Sequence, residues 1–303
     1  MILKTVYLMT LKESFALAEK IGIKEPSTNF FKEGGEKMIK TIVIGPRGKM
    51  GRLITQIAAA SEKLTLVAGV GPKGRDYIGQ DLGQVASLGY DLGVPVVDDL
   101  TEVIEICDVI IDFSTKEMGL DVLQLAKKYK KALVCGTTGF TSAEKELFRN
   151  AGEEIPLLYA ANTSKLVNVM NQLLQTAAAA IGKETDIEIV EMHDRWKKDA
   201  PSGTAKEMGE LIAAELDTTL SAVATYGREG VGEREPGTIG FHSVRMGDTP
   251  SSHTVLFSGL GERLEITHHS TDWRGFAKGA CDCAVFLAKQ PSGYYGVADI
   301  LNK

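Results

Sequence analysis

Thr41-Ile42-Val43-Ile44-Gly45-Pro46-Arg47-Gly48-Lys49-Met50-Gly51 decides the fold: a short apolar run, a glycine-rich turn, and the opening of an amphipathic helix. A turn of this kind between a strand and a helix brings backbone N–H groups close to a pyrophosphate at the positive end of the helix. Glycines suit it because a Cβ would block the phosphate or the packing of helix on strand. Gly45, Gly48, Lys49, Met50 and Gly51 are therefore the expected cofactor contacts. The spacing Gly-x-x-Gly-x-x-Gly departs from the common Gly-x-Gly-x-x-Gly, so a mere tight turn is the competing reading.

Working outward, Met50 to Ala60 reads as the helix and Leu64 to Val70 as a second strand. That strand runs into Gly71-Pro72-Lys73-Gly74-Arg75, which offers no carboxylate to a ribose 2′-hydroxyl. Lys73 and Arg75 stand where a 2′-phosphate would sit, which favours NADPH, with NADH as the alternative. A solvated basic loop is the plainer explanation of the same residues. Further strands are expected at Val109 to Phe113 and Ala132 to Cys135, with helices near Gly119 to Tyr129 and Ala143 to Ala151. Short apolar strands alternating with amphipathic helices give an α/β fold, a Rossmann-type doubly wound parallel sheet. Phe113 and Ser114 close one strand, and Gly136 and Thr138 follow another, at the sheet edge where ligands bind. Small and hydroxylated residues there leave room for a nicotinamide ring, although turn chemistry alone would also select them.

After Asn162 the pattern changes. A long helix, Leu166 to Ile181, leads to an alternating strand, Asp186 to His193, and a helix beginning near Ser202. Strand candidates Gly240 to Arg245, His253 to Ser258 and Arg263 to His268 follow without intervening helices, so a mixed or antiparallel sheet is expected. Gly275 to Lys289 is a helix that could return to the first part. The division is 1–37 as an extension, 38–163 with 274–303 as the nucleotide domain, and 164–273 as a second, α+β domain. Glu33-Gly34-Gly35-Glu36-Lys37 can be encoded by a purine-rich stretch just upstream of an ATG, so Met38 is the expected natural start.

Composition narrows the function. The 303 residues carry 34 Lys plus Arg against 40 Asp plus Glu, a net charge of −6, and 44% are hydrophobic. Without clustered cations there is no reason to expect nucleic acid or an anionic membrane as partner. No apolar run approaches the roughly 20 residues of a membrane span. Cys107, Cys135, Cys281 and Cys283 lack metal-ligand spacing, and a reduced, cytoplasmic protein is expected. His268-His269 would face opposite ways on a strand, with no third ligand, so no metal is expected. Asp98-Asp99 reads as a helix cap. Glu262 and Arg263 read as strand-edge ion pairs, and His242 and His253 as hydrogen-bonded sheet residues.

The chemistry concentrates after the long alternating strand, in His193-Asp194-Arg195-Trp196-Lys197-Lys198-Asp199-Ala200-Pro201-Ser202-Gly203-Thr204-Ala205. Ser202-Gly203-Thr204 ahead of a helix is a ready carboxylate site. His193 and Lys197 beside it suit proton donation to a small anionic substrate that receives a hydride, because imidazole titrates near neutrality and a cation stabilises developing charge. The Asp199-to-Ala205 run, Gly45 to Gly51, Gly136 to Phe140, Glu191-x-His193, Gly240 to Asp248 and Gly261 to His268 together resemble the 4-hydroxy-tetrahydrodipicolinate reductase family, also called dihydrodipicolinate reductase, from Met38 to Leu301.

The resemblance implies a homotetramer of lysine and diaminopimelate biosynthesis, each subunit having an NAD(P)H domain and a substrate and tetramerisation domain. It implies that His193 donates the proton, that Lys197 binds substrate and assists, and that Thr138, Ser202, Gly203 and Thr204 hold carboxylates. The chain departs from the family at Asp194, where a second His is usual, at Trp273, where an Arg is usual, and at Thr163, where many members carry an aromatic. A carboxylate at Asp194 facing a substrate carboxylate at about 4 Å would cost on the order of 4 kcal/mol at an effective dielectric near 20. Either Asp194 points away, with Lys165, Arg195 or Arg274 compensating, or the substrate differs. The alternatives are a reductase of the same fold acting on another imine or enamine, and a nucleotide-binding paralogue without turnover.

Overall fold

The computed structural model describes residues 37–301. The expectations for the extension and for a start at Met38 therefore fall almost wholly outside the described residues. In chain order the elements are β1 Ile39–Ile44, α1 Lys49–Ala59, β2 Leu64–Val70, α2 Leu82–Val85, β3 Val96–Val97, β4 Val109–Asp112, α3 Lys116–Tyr129, β5 Ala132–Cys135, α4 Ser142–Ala151 and β6 Pro156–Tyr159. There follow α5 Lys165–Ile181, β7 Asp186–His193, α6 Gly203–Glu215, α7 Leu220–Val223, β8 Ala224–Tyr226, β9 Ile239–Arg245, β10 Ser251–Ser258, β11 Arg263–Ser270, α8 Arg274–Leu287, β12 Gly293–Tyr295 and α9 Ala298–Leu301.

Seven strands form one parallel sheet in the order β12-β6-β5-β4-β1-β2-β3. Helices cover both faces, so strand residues are buried whichever way they point, and β1 ends in the continuous apolar run Ile42-Val43-Ile44. Val43 joins Ile54 and Ala58 of α1 and Ala277, Ala280 and Ala284 of α8 in one layer. Ile42 and Ile44 point the other way, into a layer with Val122 and Leu123 of α3 and Phe148 of α4. Truncating a side chain such as Ile54, which is fully buried, to Ala would cost about 2–5 kcal/mol. Strand order reverses between β1 and β4, and the crevice at their C-terminal ends is the ligand-binding position of such sheets. Thr115 caps α3 and a Thr141–Glu144 capping box starts α4.

The second sheet has the order β11-β10-β7-β9-β8 and is mixed: β7, β9 and β8 pair in parallel, and β10 runs antiparallel to both of its neighbours, β7 and β11. Ile187, Ile189, Phe241, Val255 and Phe257 on one face pack against α5 and α6. On the other face Val190, Met192, Val244 and Leu256 remain half-exposed. The chain passes between the sheets twice, side by side. On the way out Thr163 Oγ1 donates to the Phe276 carbonyl at 2.7 Å, and Lys165 pairs with Asp282 at 3.0 Å. Gly279 of α8 lies so close that a Cβ there would overlap the Thr163 carbonyl oxygen.

Several elements differ from the sequence reading. β3 and β12 are two and three residues long, too short to show a period. Cys107 follows a short 3-10 turn, its thiol donating to Ile104 O. Asp99 caps another 3-10 turn at Thr101. Arg263 pairs with Glu265, its neighbour on the same strand face, and not with Glu262.

Candidate active site

The glycine turn is built as tightly as its sequence requires. Gly45 has φ +69° and its N–H donates to Val70 O, joining the turn to β2. A Cβ at Gly51 would overlap the Gly45 carbonyl oxygen and lie 2.9 Å from Pro46 Cα. The turn thus ends directly on α1, whose first N–H groups, from Lys49 to Gly51, have no acceptor within the helix. Beside it is a hollow lined by Gly45, Arg47, Arg75, Tyr77, Ser114 and others. Arg47 pairs with Asp76 at 2.7 Å and lies 5.2 Å from the centre of the Tyr77 ring. Lys73 is not part of this lining; Asp99 is held below the usual carboxylate range chiefly by Thr101 hydrogen bonds, with Lys73 a smaller contributor.

At the strand-order reversal Asp112 is completely buried and accepts from Ser114 N, Ser114 Oγ and Thr137 Oγ1 at 3.1, 2.5 and 3.0 Å. Burial pushes its carboxyl up, against those hydrogen bonds. It ties the loop after β4 to the loop after β5. Phe113 leans over Gly136, where any Cβ would enter its ring.

Next to this crevice is a cleft of about 290 Å³, room for small rings and not for a macromolecule. Met50, Phe113, Gly136 and Thr138 line it from the first sheet; His193, Lys197, Thr204, Ser251 and His253 line it from the second; and Asn162, Thr163, Trp273 and Phe276 line it at the two passages between them. His193 ends β7, and its Nδ1 donates to Glu191 Oε2 at 2.6 Å. That leaves Nε2 toward the cleft. Glu191 is fully buried and receives two further bonds from Arg245, at 2.7 and 2.8 Å, and one from Ser202 N at 3.1 Å. Burial opposes its ionisation, but His193 and Arg245 more than offset this and hold it well below the usual carboxylate range. His253 stands edge-on to His193 at 5.3 Å and shares a 3.1 Å hydrogen bond with Ser202 Oγ. Burial drives its pKa down to about 3, so it is neutral at pH 7. Lys197 pairs with Asp199 at 2.7 Å.

The remaining sequence candidates are placed as follows. Ser202 caps α6 by accepting from Ala205 N, with its hydroxyl buried, while Gly203 and Thr204 open the helix and Thr204 faces the cleft. Asp194 is not in the lining; its Oδ1 accepts from Trp196 N at 2.8 Å, closing the turn after β7. Of the suggested compensating cations, Lys165 and Arg274 are engaged with Asp282 and Asp272, and Arg195 lies 5.9 Å from the centre of the Trp196 ring. Trp273 sits under Lys49, whose Nζ is 3.8 Å from the ring centre. Sequence reasoning missed Arg47, Asn162, Ser251 and Phe276 as lining residues and took His253 for an ordinary sheet residue. Glu191 and Arg245 stood in quoted motifs without a role. The i, i+2 spacing of Glu191 and His193 on a strand, which places both side chains on one face, was the available signal. His242 is indeed bonded, to Glu188 at 2.7 Å. Among the described residues no group of three metal-ligating side chains occurs, and no helix is long and apolar enough to cross a membrane.

The family models described as dihydrodipicolinate reductase, N-terminus and C-terminus, match residues 39–163 and 167–301. The 4-hydroxy-tetrahydrodipicolinate reductase of Pseudomonas fluorescens is 46% identical over 267 residues, covering 88% of this chain and 99% of the relative. That of Hahella chejuensis is 41% identical over 266 residues, covering 88% of this chain and 99% of the relative. Among solved structures, a dipicolinate-bound dihydrodipicolinate reductase from Paenisporosarcina sp. TG-14 superposes with TM-score 0.67 at 27% identity, covering 86% of this chain and 97% of that one. Two family models that together span nearly all the described residues, and relatives matched along almost their full length, establish that the chain belongs to the dihydrodipicolinate reductase family.

Proposed function

We propose that the chain reduces 4-hydroxy-tetrahydrodipicolinate to tetrahydrodipicolinate, in lysine and diaminopimelate biosynthesis, with NADPH preferred to NADH. The observation that carries this reading is one cleft in which Met50 at the end of the glycine turn, a carboxylate-held histidine, a lysine and the start of a helix converge. The turn fits a dinucleotide: the Gly45–Gly51 contact admits no Cβ, and Arg47 and Arg75 line the hollow beside it. Gly45, Gly48, Lys49, Met50 and Gly51 would hold the pyrophosphate; Arg75, with Arg47, would meet a 2′-phosphate; Phe113, Ser114, Gly136 and Thr138 would flank the nicotinamide. Reduced nicotinamide, when bound, supplies the hydride.

The chain's own residues do the rest. Thr138 and Thr204, with the free N–H groups at the start of α6, receive the substrate carboxylates. Lys197 adds positive charge to the same corner, and His193 presents Nε2 to the reacting centre and delivers a proton from it. Asp194 is turned onto the backbone, which removes the expected repulsion and supports the dicarboxylate substrate over a less anionic imine. The half-exposed face with Val190, Met192, Val244 and Leu256 supports burial between copies, and hence the homotetramer. A cytoplasmic location fits the four buried free cysteines.

The direct test is oxidation of NADPH in a coupled assay with dihydrodipicolinate synthase, pyruvate and aspartate semialdehyde. Turnover of about 1 to 10³ per second is expected, falling by roughly 10² to 10⁴ in His193→Gln with NADPH binding retained. No turnover by the native protein, with NADPH still bound, would direct the search to other imines.

A further inference from the structure

A fully buried carboxylate that accepts four hydrogen bonds, from three different parts of the chain, has a use beyond stability. Glu191 sits two residues before His193 on β7, so both side chains emerge on the same face. One oxygen takes the His193 Nδ1 proton at 2.6 Å and one Arg245 bond at 2.8 Å. The other takes the second Arg245 bond at 2.7 Å and the Ser202 N–H at 3.1 Å. Ser202 is the cap of α6, the helix whose start lies at the cleft. Arg245, on the neighbouring strand β9, also donates to Asp199 O at 2.6 Å, holding down the loop that carries Lys197.

We propose that Glu191 is a positioning residue: its carboxylate fixes which ring nitrogen of His193 faces the substrate and sets that ring against the helix start that receives the substrate's carboxylate. A carboxylate only accepts, so Nδ1 must carry a proton in either charge state, and Nε2 is left as the atom that loses and regains its proton. Arg245 holds the same carboxylate by both oxygens, so the acceptor that fixes Nδ1 is itself fixed. The other ionisable groups facing this corner are neutral His253 on β10, with His268 on β11 behind it, and Lys197, Asp199 and Asp194 in the loop after β7. Asp194 and Asp199 are engaged with Trp196 N and Lys197 respectively. None of these replaces Glu191 at Nδ1.

This inference rests on His193 being the proton donor, and the experiments separate the two. With a proton donor, activity falls as pH rises, and the alkaline limb of the kcat profile reports the donor. Glu191→Gln removes the anion and should move that limb down by about 1–2 pH units, with kcat above the limb lowered about 10- to 100-fold and NADPH affinity unchanged. Arg245→Met leaves the anion uncompensated and should move the limb in the opposite direction. A merely structural role would lower activity in both variants without opposite displacements, and that result overturns the proposal. Should either variant fold poorly, nitrogen NMR of His193 in the intact native enzyme decides: the neutral ring must carry its proton on Nδ1, and an Nε2-protonated neutral ring overturns the proposal. Retained turnover in His193→Gln would instead defeat the reading of His193 itself.

Discussion

Replacing Gly51 with Ala sets two known effects against each other. Alanine is favoured over glycine within a helix by about 1 kcal/mol, and Gly51 lies in the first turn of α1. Against this, the new Cβ would overlap the Gly45 carbonyl oxygen and stand 2.8 Å from Gly45 C and 2.9 Å from Pro46 Cα. All three are backbone atoms of the glycine turn, so no side-chain rotation relieves the overlap. Overpacking typically costs about 1–3 kcal/mol or more, and immovable neighbours place this case at the upper end. The expected balance is a loss of about 2 kcal/mol, or about 3 °C in Tm for a chain of this size. The cofactor site should suffer more, because relief can come only by pushing the turn outward. Saturating NADPH at a hundred times Kd stabilises the native protein by about 2.7 kcal/mol, and most of that increment should vanish in the variant. Thermal unfolding with and without NADPH measures both quantities. Gly48→Ala, whose Cβ would meet Gly45 O at 3.3 Å, is the milder control. A Gly51→Ala protein that melts within about 1 °C of the native one and keeps its NADPH increment would refute the close-approach argument.

Other expectations follow from single features. His253 has a folded pKa of about 3, below the roughly 6.5 of an exposed imidazole, so its contribution is intact above pH 6.5 and is lost as pH falls toward 3. Urea unfolding at pH 7 and pH 5 should show the native protein losing about 2 kcal/mol more than His253→Asn; equal losses would exclude it. Arg75→Ala should raise the KM for NADPH about tenfold, the equivalent of 1.4 kcal/mol, with NADH kinetics unchanged, and a parallel change for both cofactors would remove Arg75 from the 2′-phosphate site. Asp194→Asn keeps an acceptor for Trp196 N–H, so kcat/KM should stay within about threefold of native. A large gain on losing the charge would mean that Asp194 does face the substrate.

The parallel sheet was legible because buried strands flanked by helices leave continuous apolar runs, as in Ile42, Val43 and Ile44, and because glycines mark the turn from β1 into α1. The mixed sheet was legible from strands that follow one another without helices. Edge strands such as β12 were not, since three residues cannot display a period of two. In the site, His193 and Lys197 announced themselves by residue type, and Thr204 by its place at a helix start. Glu191, Arg245 and His253 did not, because a charged or imidazole side chain on a strand looks the same whether it is solvated at an edge or closed in behind the lining of a cleft. Asp194 misled for the complementary reason: its charge is visible in the sequence, whereas the hydrogen bond that turns it onto Trp196 N depends on the turn itself.

The two adjacent passages between the sheets also carry a consequence for how the protein must be assembled. The bond from Thr163 to Phe276 closes a sequence separation of 113 residues, and the contact from Cys281 Sγ to Ile54 O closes one of 227. Contacts this distant form late and slow the search for the native state. During synthesis, strands β1 to β6 leave the ribosome while the helix that covers Ile54, Ala58 and Val134 has not yet been made. The nucleotide-binding layer, although first in the sequence, is therefore among the last parts to be completed, and a nascent chain lacking α8 presents an apolar surface that invites misassembly until its C-terminus arrives.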